Sequence, residues 1–298
     1  MYDSFAELLR ITRERSIPIW KAVLEEESRL SETCEPEILA EFERRFGIME
    51  SSVKKALEHP QPTVANLISG SSAQQWAHAC SGKTISGGLI NRVMAYALSG
   101  IEVNASMGRI CAAPTAGSCG ILPAVLVGMR DEFSLDNATV IRGLVTAAGI
   151  GSIITQNATV AGAEGGCQAE CGAAAAMAAA AAVEMTGHSP ADAMSAFSIA
   201  MVNMMGLVCD PVAGLVQIPC AQRNASQAVN ALISADLAIG GMVLPIPPDE
   251  ILEAMYRTGK LLPESLRETA AGGIAATPSG KVIAEKIFGE RKLSTERK

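Results

Sequence analysis

Aromatic residues are scarce in this 298-residue chain: Trp, Tyr and Phe make up 4% of it, within a hydrophobic content of 49%. A β-sandwich core fills with β-branched and aromatic side chains, so their scarcity argues against one. Alternating strand patterns are equally rare. Basic excess is missing as well. The formal net charge is −7, and an acidic surface repels phosphate backbones, which sets nucleic-acid binding aside. No apolar leader is visible, because MYDSFAELLRITRER is amphipathic and charged from its start. A membrane span needs roughly 20 consecutive apolar residues. Ala138 to Gly162 is interrupted by Arg142, and Ala173 to Val183 is too short, so both are expected to be buried core helices. The expected location is cytoplasmic, without a membrane.

Among the eight cysteines there is no C-x₂-C pair, which removes the zinc ribbon and the ferredoxin run. In a reducing compartment a disulfide framework is not expected either. Metal ligation, reactive thiols and plain packing remain, and packing is the default for any one buried cysteine. The three histidines are unpromising. His59 precedes a proline, His78 falls on a helix near Trp76, and His188 falls between helices.

What the chain does have is alanine, glycine and methionine. Small residues let helix backbones approach closely, so an all-α fold is expected. Pro18 suits a first helical turn. Pro36 opens another helix, whose stripe Ile38, Leu39, Phe42 and Phe46 is expected to stop at Gly47. Gln61 to Ser72 is polar and hinge-like. Further helices are expected at Ile121 to Arg130, Asn137 to Gln156, Gln168 to Met185, Pro190 to Leu207 and Asn224 to Ile239. Ser189, Pro190 and Asp192 supply a cap, a first-turn proline and a capping-box acid. One catalytic domain over 1–298 is expected, with an N-terminal helical layer (1–80), a core (81–288) and a flexible tail (289–298).

Glycine-rich connectors separate these helices from Ser81 onward, and they hold most of the cysteines. Cys167, Cys209 and Cys220 each stand beside glycine or proline near an expected helix end, where a metal or sulfide cluster has close access. Cys167-x₃-Cys171 puts two thiols on one face of a helix start, a spacing that ordinary buried cysteines also produce.

Three runs carry a resemblance. Ala113 to Gly120 (APTAGSCG), Ala161 to Glu170 (AGAEGGCQAE) and Cys209 to Cys220 (CDPVAGLVQIPC) resemble the α chain of bacterial iron–sulfur L-serine dehydratases. The likeness runs from about Ser81 to Gly273. It implies a [4Fe–4S] cluster with Cys167, Cys209 and Cys220 as ligands, and leaves Cys171 and Cys119 to packing or support. Three thiolates on four irons leave one iron open as a Lewis acid. With a general base taking the α-proton of L-serine, water is eliminated, and the aminoacrylate formed hydrolyses to pyruvate and ammonia. Single-chain relatives end in a cysteine that caps this iron; here no cysteine follows Cys220. The resemblance also implies a β chain as partner, carrying a histidine-bearing segment that this sequence lacks.

Supporting roles stay open. Thr115 and Ser118 hydroxyls, with free amides before the Ile121 helix, could hold the substrate carboxylate, or could cap an ordinary turn. Lys83 could bind that carboxylate or act as base, or be a surface lysine. Asn157 and Glu164 flank Cys167 and could orient ligands or contact the amino group; a structural role fits as well. Ser81-Gly82-Lys83-Thr84 imitates a P-loop end, but the required glycine is Ala77. Pyridoxal phosphate chemistry would need a βα pattern around Lys83, which is missing. A cysteine desulfidase-type lyase on the same scaffold, and a non-catalytic subunit with a structural or oxygen-sensing cluster, are the alternatives.

Overall fold

The computed structural model describes residues 2–289. Among these residues the fold is helical and has no strand; Cys209 and Arg267 form an isolated bridge. The all-α expectation holds. Helices α1 (Phe5–Arg15), α2 (Ile19–Ser31) and α3 (Glu35–Glu58) open the chain. The stop expected at Gly47 does not occur. Its Cα faces open space, and the apolar stripe resumes beyond it at Met49, Val53 and Leu57, so α3 continues to Glu58.

Next come α4 (Ser71–Cys80), α5 (Gly87–Ala105), α6 (Ile121–Phe133) and α7 (Asn137–Asn157). A single turn, α8 (Gly162–Gly165), precedes α9 (Ala173–Met185) and α10 (Pro190–Val202). Helices α11 (Cys220–Ile239), α12 (Pro248–Leu261) and α13 (Pro278–Phe288) complete the described chain. Three expected boundaries move. Gln168–Gly172 is a π turn rather than the start of α9. Helix α10 ends at Val202, so Cys209 lies in the loop beyond it. Cys220 itself opens α11. The expected tail falls outside the described residues except for Gly289.

Alanine explains the architecture. Helix α9 is apolar on every side, and such a helix belongs inside. Every residue from Ala173 to Val183 is buried, with α6, α7, α10 and α11 packed around it. Helix α7 is long and apolar enough to cross a membrane, yet 67% of its apolar window is buried in this core. Helices α5 and α6 also meet closely: a Cβ on Gly120 would overlap the Ala97 carbonyl.

Several helix starts are satisfied by acids from distant segments. Asp249 of α12 accepts the Phe5 and Ala6 amides at 2.8 and 2.9 Å, holding α1. Glu102 of α5 accepts the Gly70 amide at 3.0 Å and the Ser72 hydroxyl at 2.9 Å, holding α4. Glu184 of α9 is set against the Ile19 and Trp20 amides at the start of α2, which favour its charged form. Each satisfies donors that no residue within the helix can reach and places negative charge at a helix N-terminus. The capping box read from the sequence is present, with Ser189 and Asp192 bonding reciprocally at 3.1 and 3.2 Å.

Candidate functional site

The three motif runs converge ahead of α9. The π turn carries Cys167 at its entrance and Glu170 and Cys171 within it. Gln168, fully buried, anchors it: its amide bonds the Leu207 carbonyl at 3.2 Å, and its Oε1 accepts the Gly206 amide at 2.8 Å. That ties the Cys167 run to the loop bearing Cys209. Thr115 Oγ1 donates to Glu170 Oε1 at 2.9 Å, tying in the first run, while Glu170 Oε2 stands 3.9 Å from Cys209 Sγ. Asn224, on the first turns of α11, accepts the Gly120 amide at 3.0 Å and donates to the Gly117 carbonyl at 2.8 Å.

A strap from the C-terminal third covers the Cys209 loop. The Cys209 amide donates to the Leu266 carbonyl at 2.9 Å, and the Glu268 amide returns to the Cys209 carbonyl at 2.7 Å. Next to it, Asp210 Oδ2 accepts the Ile274 amide at 2.7 Å. Gly273 makes this approach possible. It has φ +56°, and a Cβ there would overlap the Asp210 carboxylate. Asp210 Oδ1 faces Arg223 Nη2 at 2.8 Å, an ion pair outside hydrogen-bond geometry. Arg223 Nη1 reaches the Val208 carbonyl at 2.8 Å, and the positive charge of the same guanidinium favours the Cys167 thiolate.

Cys167, Cys171 and Cys209 are buried, and Cys220 is half-buried. Burial pushes the Cys220 thiol up to about 12, reinforced by the Cys167 and Glu170 charges. Cys209 is raised by burial and then by Glu170. Cys171 is raised by its hydrogen bond to Cys167, and Cys167 is lowered by the same bond, with Arg223 assisting. Glu170 is itself raised by burial. Several thiolates and a carboxylate therefore disfavour one another's ionisation, and Arg223 is the cation within the group. Soft donors that need more positive charge fit an iron–sulfur centre. Among the described residues no three His, Cys, Asp or Glu side chains converge as a single-ion site. A polynuclear cluster does not require that, because each thiolate takes a different iron.

The other candidates separate cleanly. Thr115 and buried Ser118 belong to the group, their hydroxyls 3.2 Å apart. Lys83 is exposed on the turn before α5, while the site lies beside the other end of that helix. Gly88 to Gly100 alone spans about 18 Å at the α-helical rise. Glu164 is on the surface, paired with Lys260 at 3.4 Å. Asn157 is exposed too, and its amide donates to the Asp3 and Ile153 carbonyls, fastening the end of α7. Cys119 packs in a satellite apolar cluster, its thiol 3.6 Å from the Gly100 carbonyl. Sequence reasoning missed Glu170 and Arg223. Both had a signal: Glu170 is a charge inside an otherwise small, apolar stretch, and Arg223 is the only Lys or Arg between Arg142 and Arg257.

Residues 14–275 match the model of the family described as "Serine dehydratase alpha chain". The chain is 47% identical to the "L-serine dehydratase, alpha chain" of Peptoniphilus asaccharolyticus, over 97% of this chain and 99% of that one. It is 43% identical to the "Probable L-serine dehydratase, alpha chain" of Bacillus subtilis (strain 168), over 97% and 96%. It is 37% identical to "L-serine dehydratase TdcG" of Escherichia coli (strain K12), over 92% of this chain and 61% of that protein.

Proposed function

This chain belongs to the serine dehydratase alpha chain family, and from that premise we propose that it eliminates water from L-serine, yielding pyruvate and ammonia. The reading includes a [4Fe–4S] cluster on Cys167, Cys209 and Cys220, a β chain as partner, and a cytoplasmic location that keeps the thiols reduced. The observation that carries it is the meeting of the Cys167 π turn with the connector that bears Cys209 and Cys220: Gln168 bonds the Gly206 amide, Glu170 Oε2 stands 3.9 Å from Cys209 Sγ, and Arg223, one turn after Cys220, reaches Val208 and Asp210. When bound, the cluster supplies Lewis acidity toward the departing β-hydroxyl.

The chain's own residues do the rest. Arg223 offsets thiolate charge and holds the Cys167 and Cys209 loops in register through Asp210 and Val208. Thr115 and the amides of the turn at Ala116–Ser118 are assigned to the substrate carboxylate, with Ser118 fixing the Thr115 hydroxyl. Glu170 is assigned to hold a proton at Oε2, the oxygen that Thr115 does not occupy. A carboxyl raised by burial accepts and returns a proton near neutrality better than an exposed one. Lys83, Glu164 and Asn157 are not given roles here, because they stand on the surface with structural partners or none at the site.

The test is anaerobic reconstitution with iron and sulfide, followed by pyruvate release from serine and from cysteine. Both the chain alone and the chain with its β partner are assayed. Serine turnover by the pair, with little from the isolated chain, is the expected result. Sulfide release from cysteine in preference to serine would move the assignment to a desulfidase. No turnover from a fully loaded pair would leave a structural or sensing cluster.

A further inference from the structure

The strap over Cys209 is pinned on both sides of Glu268. On one side it is bonded to Cys209, whose amide donates to the Leu266 carbonyl at 2.9 Å and whose carbonyl takes the Glu268 amide at 2.7 Å. On the other side Thr269 Oγ1 donates to the Glu264 carbonyl at 3.1 Å, and Gly272 lies so close to the Ser265 carbonyl that a Cβ would overlap it. Between these anchors Glu268 is held at φ +66°, in the left-handed region that a glutamate seldom adopts. The Glu268 side chain is exposed and, among the described residues, has no hydrogen bond and no ion pair. Glu170 approaches the same cysteine from the π turn, its Oε2 3.9 Å from Cys209 Sγ. Two carboxylates therefore flank Cys209, and the charge of Glu268 adds to burial in raising the Glu170 carboxyl.

L-serine is a zwitterion, and its two charges need opposite partners. Thr115 and the amides of Ala116–Ser118 answer the carboxylate, Glu170 holds a proton, and Arg223 is committed to Asp210 and Val208. None of these answers the α-ammonium. We propose that Glu268 binds the α-ammonium of the substrate and makes the site select 2-ammonio acids over 2-hydroxy acids. The assignment rests on the reading of this site as one for L-serine. A carboxylate without an ion pair is free to turn toward an incoming ammonium, whereas a paired one must first be released. The pinned turn also spares backbone ordering when the substrate arrives. The two ends of the substrate are then met by different segments, the carboxylate by Ala113–Gly120 and the ammonium by the strap. Glu170 touches both, bonding Thr115 through Oε1 and facing Cys209 through Oε2. The α-carbon between the two ends is thereby brought to the group that takes its proton.

The test uses the reconstituted chain with its β partner, and compares L-serine with L-glycerate, in which a hydroxyl replaces the ammonium. Affinities come from the ligand-dependent shift of the thermal melt, beside KM for serine and inhibition by glycerate. The wild type should bind serine more tightly than glycerate. Glu268→Gln should raise KM for serine about tenfold, change kcat less than about threefold, leave glycerate binding within about twofold and keep its iron. Glu268→Gly, for which φ +66° is unstrained, should lose the same preference, which assigns the effect to the carboxylate rather than to the shape of the turn. An unchanged preference in both variants, with serine turnover intact in the wild type, would overturn the proposal and leave the serine reading in place. Loss of iron in both variants would overturn it too, by making Glu268 a structural residue. If the wild type prefers cysteine over its 2-hydroxy analogue and Glu268→Gln does not, the serine reading falls and the ammonium site stands. A loaded wild type that binds neither amino acid would overturn both.

Discussion

Helix α9 has a glutamate near each end, and the two live different lives. Glu184, at the C-terminal end, is half-buried and committed to the fold: it takes the Thr146 hydroxyl at 3.1 Å and sits against the amides that open α2. Glu170, before the N-terminal end, takes the Thr115 hydroxyl on Oε1 and has only the Cys209 thiol, at 3.9 Å, on Oε2. Burial raises both carboxyls above the usual range. One helix thus presents a carboxylate consumed by the fold and another held for use. What distinguishes them is the supply of donors, since burial alone treats them alike.

The sharpest test of this contrast lies in the thiols around Glu170. Cys167→Ala, Cys209→Ala and Cys220→Ala should each lose iron and reduce serine turnover to background, while Cys34→Ala and Cys80→Ala, at exposed positions, should keep both. Iron analysis beside pyruvate release checks this. Retention of iron by Cys209→Ala would erase the functional side of the comparison.

Next in size are the glutamates themselves. Glu170→Gln should lower turnover about 100-fold, in the range of a lost proton-transfer group, while the chain still folds. Glu184→Ala should cost about 2 kcal/mol of stability through the lost cap of α2 and spare the activity per folded molecule. Denaturant melts with turnover measurements separate the two; exchanged phenotypes would break the contrast.

The pH dependence is smaller and has a sign for each. A carboxyl raised in the folded state keeps a proton that the unfolded chain releases. Stability from Glu170 and Glu184 is therefore greatest below the ordinary carboxylate value and falls as pH rises through the raised one. Glu50 on α3 is the counterexample. Its carboxyl is held down at about 2 by the Arg130 guanidinium, so its contribution exists above the ordinary value and disappears as pH falls toward 2. In the metal-free chain, Glu170→Gln should flatten the neutral side of the stability profile, and Glu50→Gln the acid side.

Much of this was legible beforehand, and the losses are instructive. The capping box at Ser189 and Asp192 could be read because its partners are three residues apart. The caps from Asp249, Glu102 and Glu184 could not, because each partner is distant in sequence. The site shows the same division. Irregular glycine-rich runs marked the cysteine loops, whereas proximity to Cys167 in the chain proved a poor guide to its surroundings. Glu164, three residues before it, faces solvent, while Glu170, three residues after it, turns inward with the π turn.

The smallest expected effects belong to those surface residues. Lys83→Ala and Glu164→Gln should change turnover less than about twofold and stability by less than about 0.5 kcal/mol. A large loss at Lys83 would show that the turn before α5 reaches the site in the working complex.

The strap over Cys209 also orders events in time. Synthesis runs from the N-terminus, so a growing chain displays Cys167, Cys209 and Cys220, the three cysteines proposed as ligands, once Cys220 has emerged. Leu266, Glu268 and Ile274, which close over Cys209 and Asp210, come roughly fifty residues later. Until then the Cys209 loop lacks its lid, and the last of the core helices, α12, is unfinished. A ribosome paused between these points would present a thiol-bearing loop without its cover, and only the released chain can close it.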